Sequence, residues 1–376
     1  MLKEVFISRT NCITPLGFDV ESNFNALKNS VSGIKQHNRV DLLNQDFFAS
    51  IIDDSNLNDA FEEISASKHS RLEKMMLLAL HPVIEAETAA SARTGFILST
   101  TKGNITALDK TAESVDDAQL GKLAKTISNF FDIKTEPIVL SNACVSGIMA
   151  VSVAKRLIQS GMYDDVYVVA GDEVSEFVLS GFNSFQAMSH EPCKPYSKNR
   201  KGVTLGEAAA AVLVTSSKEN ASIHILGDGS INDANHISGP SRTGEGLFLS
   251  IESALKESGI NASEIDYISA HGTATPFNDE MEAIAFNRWS LQQVPLNSLK
   301  GYYGHTLGAS GLLETVIGIA SVKDQKLVPS LGFDQPGTSQ SLNIITESTG
   351  KQINYFLKTA SGFGGCNTAV LFGKVN

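Results

Sequence analysis

The chain alternates short, largely apolar runs with segments of helical period, and this alternation constrains its fold most. Residues 94–99 are one such run, 137–140 a second and 166–172 a third. Short runs without polar alternation are strands buried on both faces. Between the second and third, apolar residues recur at helical spacing from Gly147 through Ile148, Val151, Ala154 and Ile158, ending at Gly161. Strand, helix and strand in that order imply a parallel sheet covered on both faces, an α/β fold.

The remaining elements follow the same logic. A first strand is expected at 4–8, a turn-rich loop at 11–17 and a helix at 20–28. Residues 33–65 read as an irregular polar insertion. Leu72, Met75, Met76, Ala79, Leu80 and Val83 form an apolar stripe within a helical stretch at 67–87, with a break near His81 ahead of Pro82. Helical sequence covers about 107–130, 175–202 reads as a long loop, and 206–214 as a strand of small residues. The order then repeats: strand 222–227, helix 244–257, strand 267–271, strand 295–299, helix 309–322 and strand 365–372. Two similar halves are expected, 1–218 and 219–376, with a cap insertion at about 33–93 in the first.

Composition excludes several classes. A net charge of −11 argues against nucleic acid as the main partner. Four scattered cysteines without a CxxC pair argue against a disulfide framework or structural zinc. No run approaches the length of a membrane span, and the N-terminus lacks the apolar core of a signal peptide, so the cytoplasm is the expected compartment.

Cys144 lies between the strand at 137–140 and the helix from Gly147. At a helix start the first-turn N–H groups and the helix dipole favour thiolate. An inert core cysteine is the alternative. His271 ends a strand, where open α/β sheets bind ligands, and His305 precedes a helix; Gly and Thr flank both. A thiolate with two imidazoles suits acyl transfer, the thiolate attacking a carbonyl and the imidazoles donating to a developing enolate. A Cys144–His271–His305 zinc site and a Cys–His hydrolase are competing readings; the zinc site lacks a short chelating pair. The glycine-rich 361–365 loop is either a tight turn or a backbone N–H donor for an oxyanion hole. Nothing resembles a phosphate loop.

Together these segments resemble the elongating 3-oxoacyl-[acyl carrier protein] synthases of the thiolase superfamily. The resemblance is carried by Asn142-Ala143-Cys144-Val145-Ser146-Gly147, by His271-Gly272-Thr273-Ala274-Thr275-Pro276 with Asp279 and Glu282, by Lys300 followed by Gly304-His305 and Glu314, and by Gly362-Phe363-Gly364-Gly365. It spans nearly the whole chain. It implies a thiolase-like fold, two duplicated βαβαβ halves in an α-β-α-β-α layering. It also implies an acyltransferase making a decarboxylating Claisen condensation. Cys144 would carry the acyl group, and His271 and His305 would stabilise the enolate. Lys300, paired with Glu314, would hold the charge arrangement, and Asp279 would support it. The N–H groups of Cys144 and Phe363 would form the oxyanion hole, Phe363 also gating the acyl pocket. Thr273 and Thr275 would bind the phosphopantetheine arm of acyl carrier protein, and no permanently bound cofactor or metal is implied. Lys68, Arg71 and Lys74, three apart, become a candidate carrier dock. The family is usually dimeric, which implies a homodimer, or a heterodimer with a second synthase, and an interface strand near 166–169. The chain departs from the family at Pro195-Tyr196-Ser197 and Arg200-Lys201-Gly202, where acidic residues are lost, and at Ser361. A non-catalytic, chain-length-factor-like subunit is the alternative function, and fatty-acid and polyketide or pigment elongation stay equally open.

Overall fold

The computed structural model describes residues 3–108, 115–234 and 239–375. Five strands of the first half are β1 (Phe6–Ile13), β2 (Thr94–Ser99), β3 (Ile138–Leu140), β4 (Asp165–Asp172) and β5 (Ala208–Thr215). Five of the second are β6 (Ile223–Asn232), β7 (Tyr267–Ser269), β8 (Pro295–Asn297), β9 (Tyr355–Ser361) and β10 (Cys366–Lys374). The first five lie in the order β3-β2-β4-β5-β1 and the second in the order β8-β7-β9-β10-β6, the same arrangement twice. In both, three neighbouring strands are parallel and the last two pairings antiparallel. The halves meet where β1 pairs with β6, Phe6 opposite His224.

Side-chain alternation along these strands builds five layers. Phe96, Leu98, Tyr167 and Val169 face α1 (Arg71–Leu80) and α2 (Leu120–Phe130) on one outer side. Ile97, Val166 and Val168 face the middle layer, made of α3 (Ser146–Gln159) and α6 (Ser310–Asp324). Phe356, Val370 and Phe372 of the second half meet the same two helices. Ile268, Leu357, Ala369 and Leu371 turn outward to α4 (Glu245–Ser258) and α5 (Pro276–Arg288). Small residues let the middle helices touch: a Cβ on Gly147 would lie 2.6 Å from Gly308 O, and one on Gly311 2.8 Å from Ile148 N.

Several elements differ from expectation. β1 runs on to Ile13, because residues 11–13 pair with Ala209–Ala211 of β5 rather than forming a loop. Within 33–65, Ile34–His37 and Phe47–Ser50 join Leu205–Gly206 in a three-stranded sheet, and Asp54–Glu62 is helical. Residues 175–202 contain a helix, Glu176–Ser184, capped by Ser175. The helix expected from 107 begins only at Leu120, after two 3₁₀ turns; residues 109–114 of that expectation lie outside the described residues. α1 ends at His81, just before Pro82, as read. The segment 166–169 cannot be an interface strand: β4 is paired on both sides, by β2 and β5, and the free sheet edge of this half is β3. Among the described residues no helix is long and apolar enough to cross a membrane.

Candidate active site

Cys144 sits in the turn between β3 and α3. Ala143, just before it, has φ 45°, a left-handed conformation that costs a non-glycine residue about 1–3 kcal/mol. Ser146 fixes this elbow, its Oγ accepting from Asn142 N at 2.7 Å and donating to Ala143 O at 2.6 Å. The sulfur is buried, and burial, with Cys366 nearby, pushes the thiol up to about 12, although Lys300 pulls the other way. This reverses the expectation from the helix start: desolvation outweighs the dipole, so the group rests as a thiol.

Both histidines follow strands or turns of the second half. Glu282 of α5 accepts from His271 N at 2.8 Å and Gly272 N at 2.7 Å, holding the loop after β7. His305 N donates to Thr204 O at 2.7 Å, and its Nδ1 lies 3.0 Å from Ser310 Oγ. One donor atom each from Cys144, His271 and His305 lie within 4.8 Å of one another. The imidazoles stand edge to face at 5.2 Å. Burial, then Lys300, pushes both well below the ordinary histidine range, so both are neutral at pH 7.

Lys300 is fully buried beneath His271. Its ammonium donates to Glu314 Oε1 at 2.8 Å and to the His271 carbonyl, and lies 3.4 Å from His271 Nδ1. A buried cation there opposes a divalent metal and favours an anionic oxygen. It also makes His271 Nδ1 the acceptor, leaving Nε2–H as donor toward the cleft. Sequence reasoning missed Lys358 on β9, whose ammonium pairs with Glu314 Oε2 at 2.5 Å. The signal was a lone lysine in a strand otherwise made of apolar and small residues. Asp172 was also missed; it accepts from Gly308 N at 2.7 Å and Thr101 N at 3.0 Å, tying β4 to the turn ahead of α6.

The remaining residues line or brace a cleft of about 670 Å³. Thr273 and Thr275 are on its wall, their hydroxyls 2.8 Å apart. Asp279 is buried behind them, accepting from Thr273 N at 3.0 Å and Tyr196 N at 2.7 Å. Phe182, Phe185, Phe277 and Phe363 surround the mouth, with Phe363 5.8 Å from Phe182. Gly362 backs onto Cys144: a Cβ there would lie 3.0 Å from Cys144 N. The 195–202 loop does not lack acidic partners, since Glu282 accepts from Tyr196 Oη at 2.9 Å and Asp279 lies 3.7 Å from Arg200 Nε.

The three basic residues of the 68–74 stretch do not form one free face. Lys68 is exposed, and Lys74 donates to Asn58 and lies over Phe61. Arg71 turns inward to Glu207, Asp54 and the Ile52 carbonyl, because the fully buried Glu207 needs a counter-charge.

Residues 3–220 match the beta-ketoacyl synthase N-terminal domain and 223–334 the C-terminal domain. The chain is 27% identical to the 3-oxoacyl-[acyl-carrier-protein] synthase 2 of Staphylococcus aureus (strain COL), over 99% of this chain and 98% of the relative. It is 32% identical to that of Coxiella burnetii (strain RSA 493 / Nine Mile phase I), over 66% and 64%. Among solved structures, the ketosynthase ApeO in complex with its chain length factor ApeC, from Xenorhabdus doucetiae, is 25% identical with a TM-score of 0.85, covering 99% of this chain and 98% of that one. The ishigamide ketosynthase/chain length factor is 20% identical, TM-score 0.90, covering both chains fully, and shares the fold. With both domains matched in order and the cysteine of the first half set against the histidines of the second, the chain belongs to the beta-ketoacyl synthase family.

Proposed function

We propose that the chain is an active elongating synthase that condenses an acyl thioester on Cys144 with malonyl-[acyl carrier protein]. The observation that carries this is the convergence of the Cys144 sulfur with two neutral imidazoles above a buried ammonium. Because the cysteine rests as a thiol, its attack on the incoming thioester needs a proton acceptor. His305 supplies it when its Nδ1–H donates to Ser310 Oγ and Nε2 is free; the proton then passes to the departing carrier thiolate. The oxyanion of this step is held by the N–H groups of Cys144 and Phe363. In the second step malonyl-carrier loses CO₂, and Nε2–H of His271 and of His305, the latter now the tautomer whose Nδ1 accepts from Ser310 Oγ, donate to the enolate oxygen. The α-carbon attacks the Cys144 thioester, whose sulfur leaves and regains a proton. The product is 3-oxoacyl-[acyl carrier protein].

The pantetheine arm of the carrier enters along Thr273 and Thr275 and serves as substrate carrier; no resident cofactor is needed. Lys68 and Lys74, without Arg71, remain available to an acidic carrier. The free edge of β3 suits a twofold dimer. The relatives named 3-oxoacyl-[acyl-carrier-protein] synthase 2 and the ketosynthase neighbours with chain length factors leave two pathways open for this chain, fatty-acid and polyketide or pigment elongation. They also leave a second reading, a heterodimer in which this chain is the partner subunit; the retained cysteine favours the catalytic half.

The test is mass spectrometry after exposure to acyl-carrier proteins bearing different chains. An acyl adduct on Cys144, absent in Cys144→Ala, is the expected result. A wild type that takes no adduct alone, but restores turnover when a second synthase is added, would assign the non-catalytic role.

A further inference from the structure

Lys358 stands outside every role assigned so far. It lies on β9, a strand between β7 and β10, and its side chain is fully buried. Few lysines are buried to this extent unless paired. Its ammonium pairs with Glu314 Oε2 at 2.5 Å and donates to the carbonyls of Thr359 at 2.7 Å and Ser269 at 3.1 Å. Ser269 is the last residue of β7, two before His271. Glu314 therefore sits between two ammoniums, Lys300 on Oε1 and Lys358 on Oε2. One carboxylate between two cations leaves a surplus positive charge next to the histidine pair.

From this arrangement we infer that Lys358 is a positioning residue for the condensation step: it clamps Glu314 from the side opposite Lys300 and supplies the surplus charge that keeps His271 and His305 unprotonated. The inference rests on the proposed condensation for its kinetic consequence, but its electrostatic part stands without it. A single Lys–Glu pair would be neutral and would leave the imidazoles to burial and to each other. The second ammonium adds a repulsion that acts on any proton arriving at either ring, and Lys358 is among the charges that push both histidines down. The other charged or titratable groups facing this cluster include Glu282 behind His271, Asp279 and the Tyr196 phenol beside Glu282, Cys193 beside Lys300, Cys144 across the cleft with Asp172 and Lys102 beyond it, and the phenols of Tyr267 and Tyr303 near Glu314. Glu282 also faces Lys358, but its oxygens turn to the His271 and Gly272 N–H groups and to Tyr196 Oη, so Glu314 is the carboxylate in contact with both ammoniums. The same charge attracts the anionic enolate, which forms only after decarboxylation. Lys358 thus favours the second half-reaction, whereas in acylation, where His305 takes up the thiol proton, the same charge works against that uptake.

The test compares wild type, Lys358→Met and Lys358→Arg. Carbon-labelled histidine followed by NMR reads the titration of His271 and His305 directly, without any substrate. Malonyl-carrier decarboxylation and Cys144 acylation are followed separately across pH. In Lys358→Met both imidazoles should titrate higher, by about one pH unit or more. The acid limb of decarboxylation should move up with them, and its kcat should fall about tenfold or more while acylation holds or rises. Lys358→Arg should keep the wild-type limb. Unmoved histidine titrations in folded Lys358→Met overturn the inference, as does a parallel fall of acylation and decarboxylation. If Lys358→Met does not fold, Lys358→Gln is read the same way; failure of both, with Lys358→Arg folded, makes the role structural only and overturns it as well. A wild type inactive in both half-reactions would refute the proposed function, while the histidine titrations would still decide the charge argument.

Discussion

Replacing Gly362 by alanine tests the donor pair around the nucleophile with a single methyl group. The backbone of Gly362 is not in the left-handed region, so alanine is allowed there on conformational grounds. Space is what opposes it. The new Cβ would meet Cys366 Sγ at 2.8 Å, Cys144 N at 3.0 Å and Ala143 Cβ at 3.1 Å. The sulfur can rotate away, but the amide and the strained elbow cannot, so the 362–363 backbone must retreat from Cys144. A displaced oxyanion donor costs about 10²–10³ in rate, or about 2.7–4 kcal/mol of transition-state stabilisation. Overpacking costs stability as well, about 1–3 kcal/mol. Acylation of Cys144 by acyl-carrier protein, followed by rapid quench and mass spectrometry, should slow by that factor, while alkylation by a small electrophile with no oxyanion to stabilise should change little. Adding Cys366→Ala removes the 2.8 Å contact and should recover stability more than rate. Acylation within about threefold of wild type, in a protein that melts normally, would refute the assignment of these N–H groups.

Other expectations concern stability and charge. Ala143→Gly removes the left-handed strain and should stabilise the chain by about 1 kcal/mol in urea unfolding, at some loss of nucleophile positioning. Glu314→Gln strands two buried ammoniums and should cost about 3–5 kcal/mol, whereas Lys300→Met leaves the Lys358–Glu314 pair intact and should cost clearly less; the order of denaturation midpoints decides. His271 and His305 bind protons when unfolded below about pH 6.5 but not when folded, so their contribution to stability is present above that pH and is lost as pH falls through it. Glu173 and Asp279, both raised to about 7 by burial, act in the opposite sense between about pH 4.5 and 7. The double variant His271→Asn with His305→Asn should therefore lower the slope of unfolding free energy against pH by about 2.7 kcal/mol per unit between pH 5 and 6, read from urea midpoints; an unchanged slope would mean that the imidazoles are charged in the folded protein.

The parts of the fold that could be read in sequence were those whose local pattern and tertiary fate coincide. The central residues of 94–99 and 166–172 are apolar because both faces of their strands are covered, and a periodic stripe marked α1 down to its proline break. α5 escaped because its buried face carries Asn278, Asp279 and Glu282, which look like solvent residues and instead brace the loops around His271. β9 escaped because Lys358 interrupts it. Residues 11–13 looked like a loop because pairing with a distant strand, 209–211, overrides turn propensity. Cys144, His271 and His305 were visible as residues in unusual settings, but their convergence depends on how the two halves join. No spacing reports that. The state of the thiol was misjudged for a related reason: a helix start is a local feature, whereas desolvation is set by everything packed around it.

The contact of Gly147 with Gly308, and of Gly311 with Ile148, bears on how the proposed activity could be diversified. It brings the backbone carrying the nucleophile against the backbone carrying His305 with no side chain between them. No change of side-chain size can therefore retune that separation in small steps; any added atom breaks it. New acyl specificities must be sought where side chains do set the dimensions, at the ring of Phe182, Phe185, Phe277 and Phe363 and in the loops behind them. Libraries aimed at that ring should yield altered substrates with the chemistry intact, and libraries aimed at the glycines should yield inactive protein.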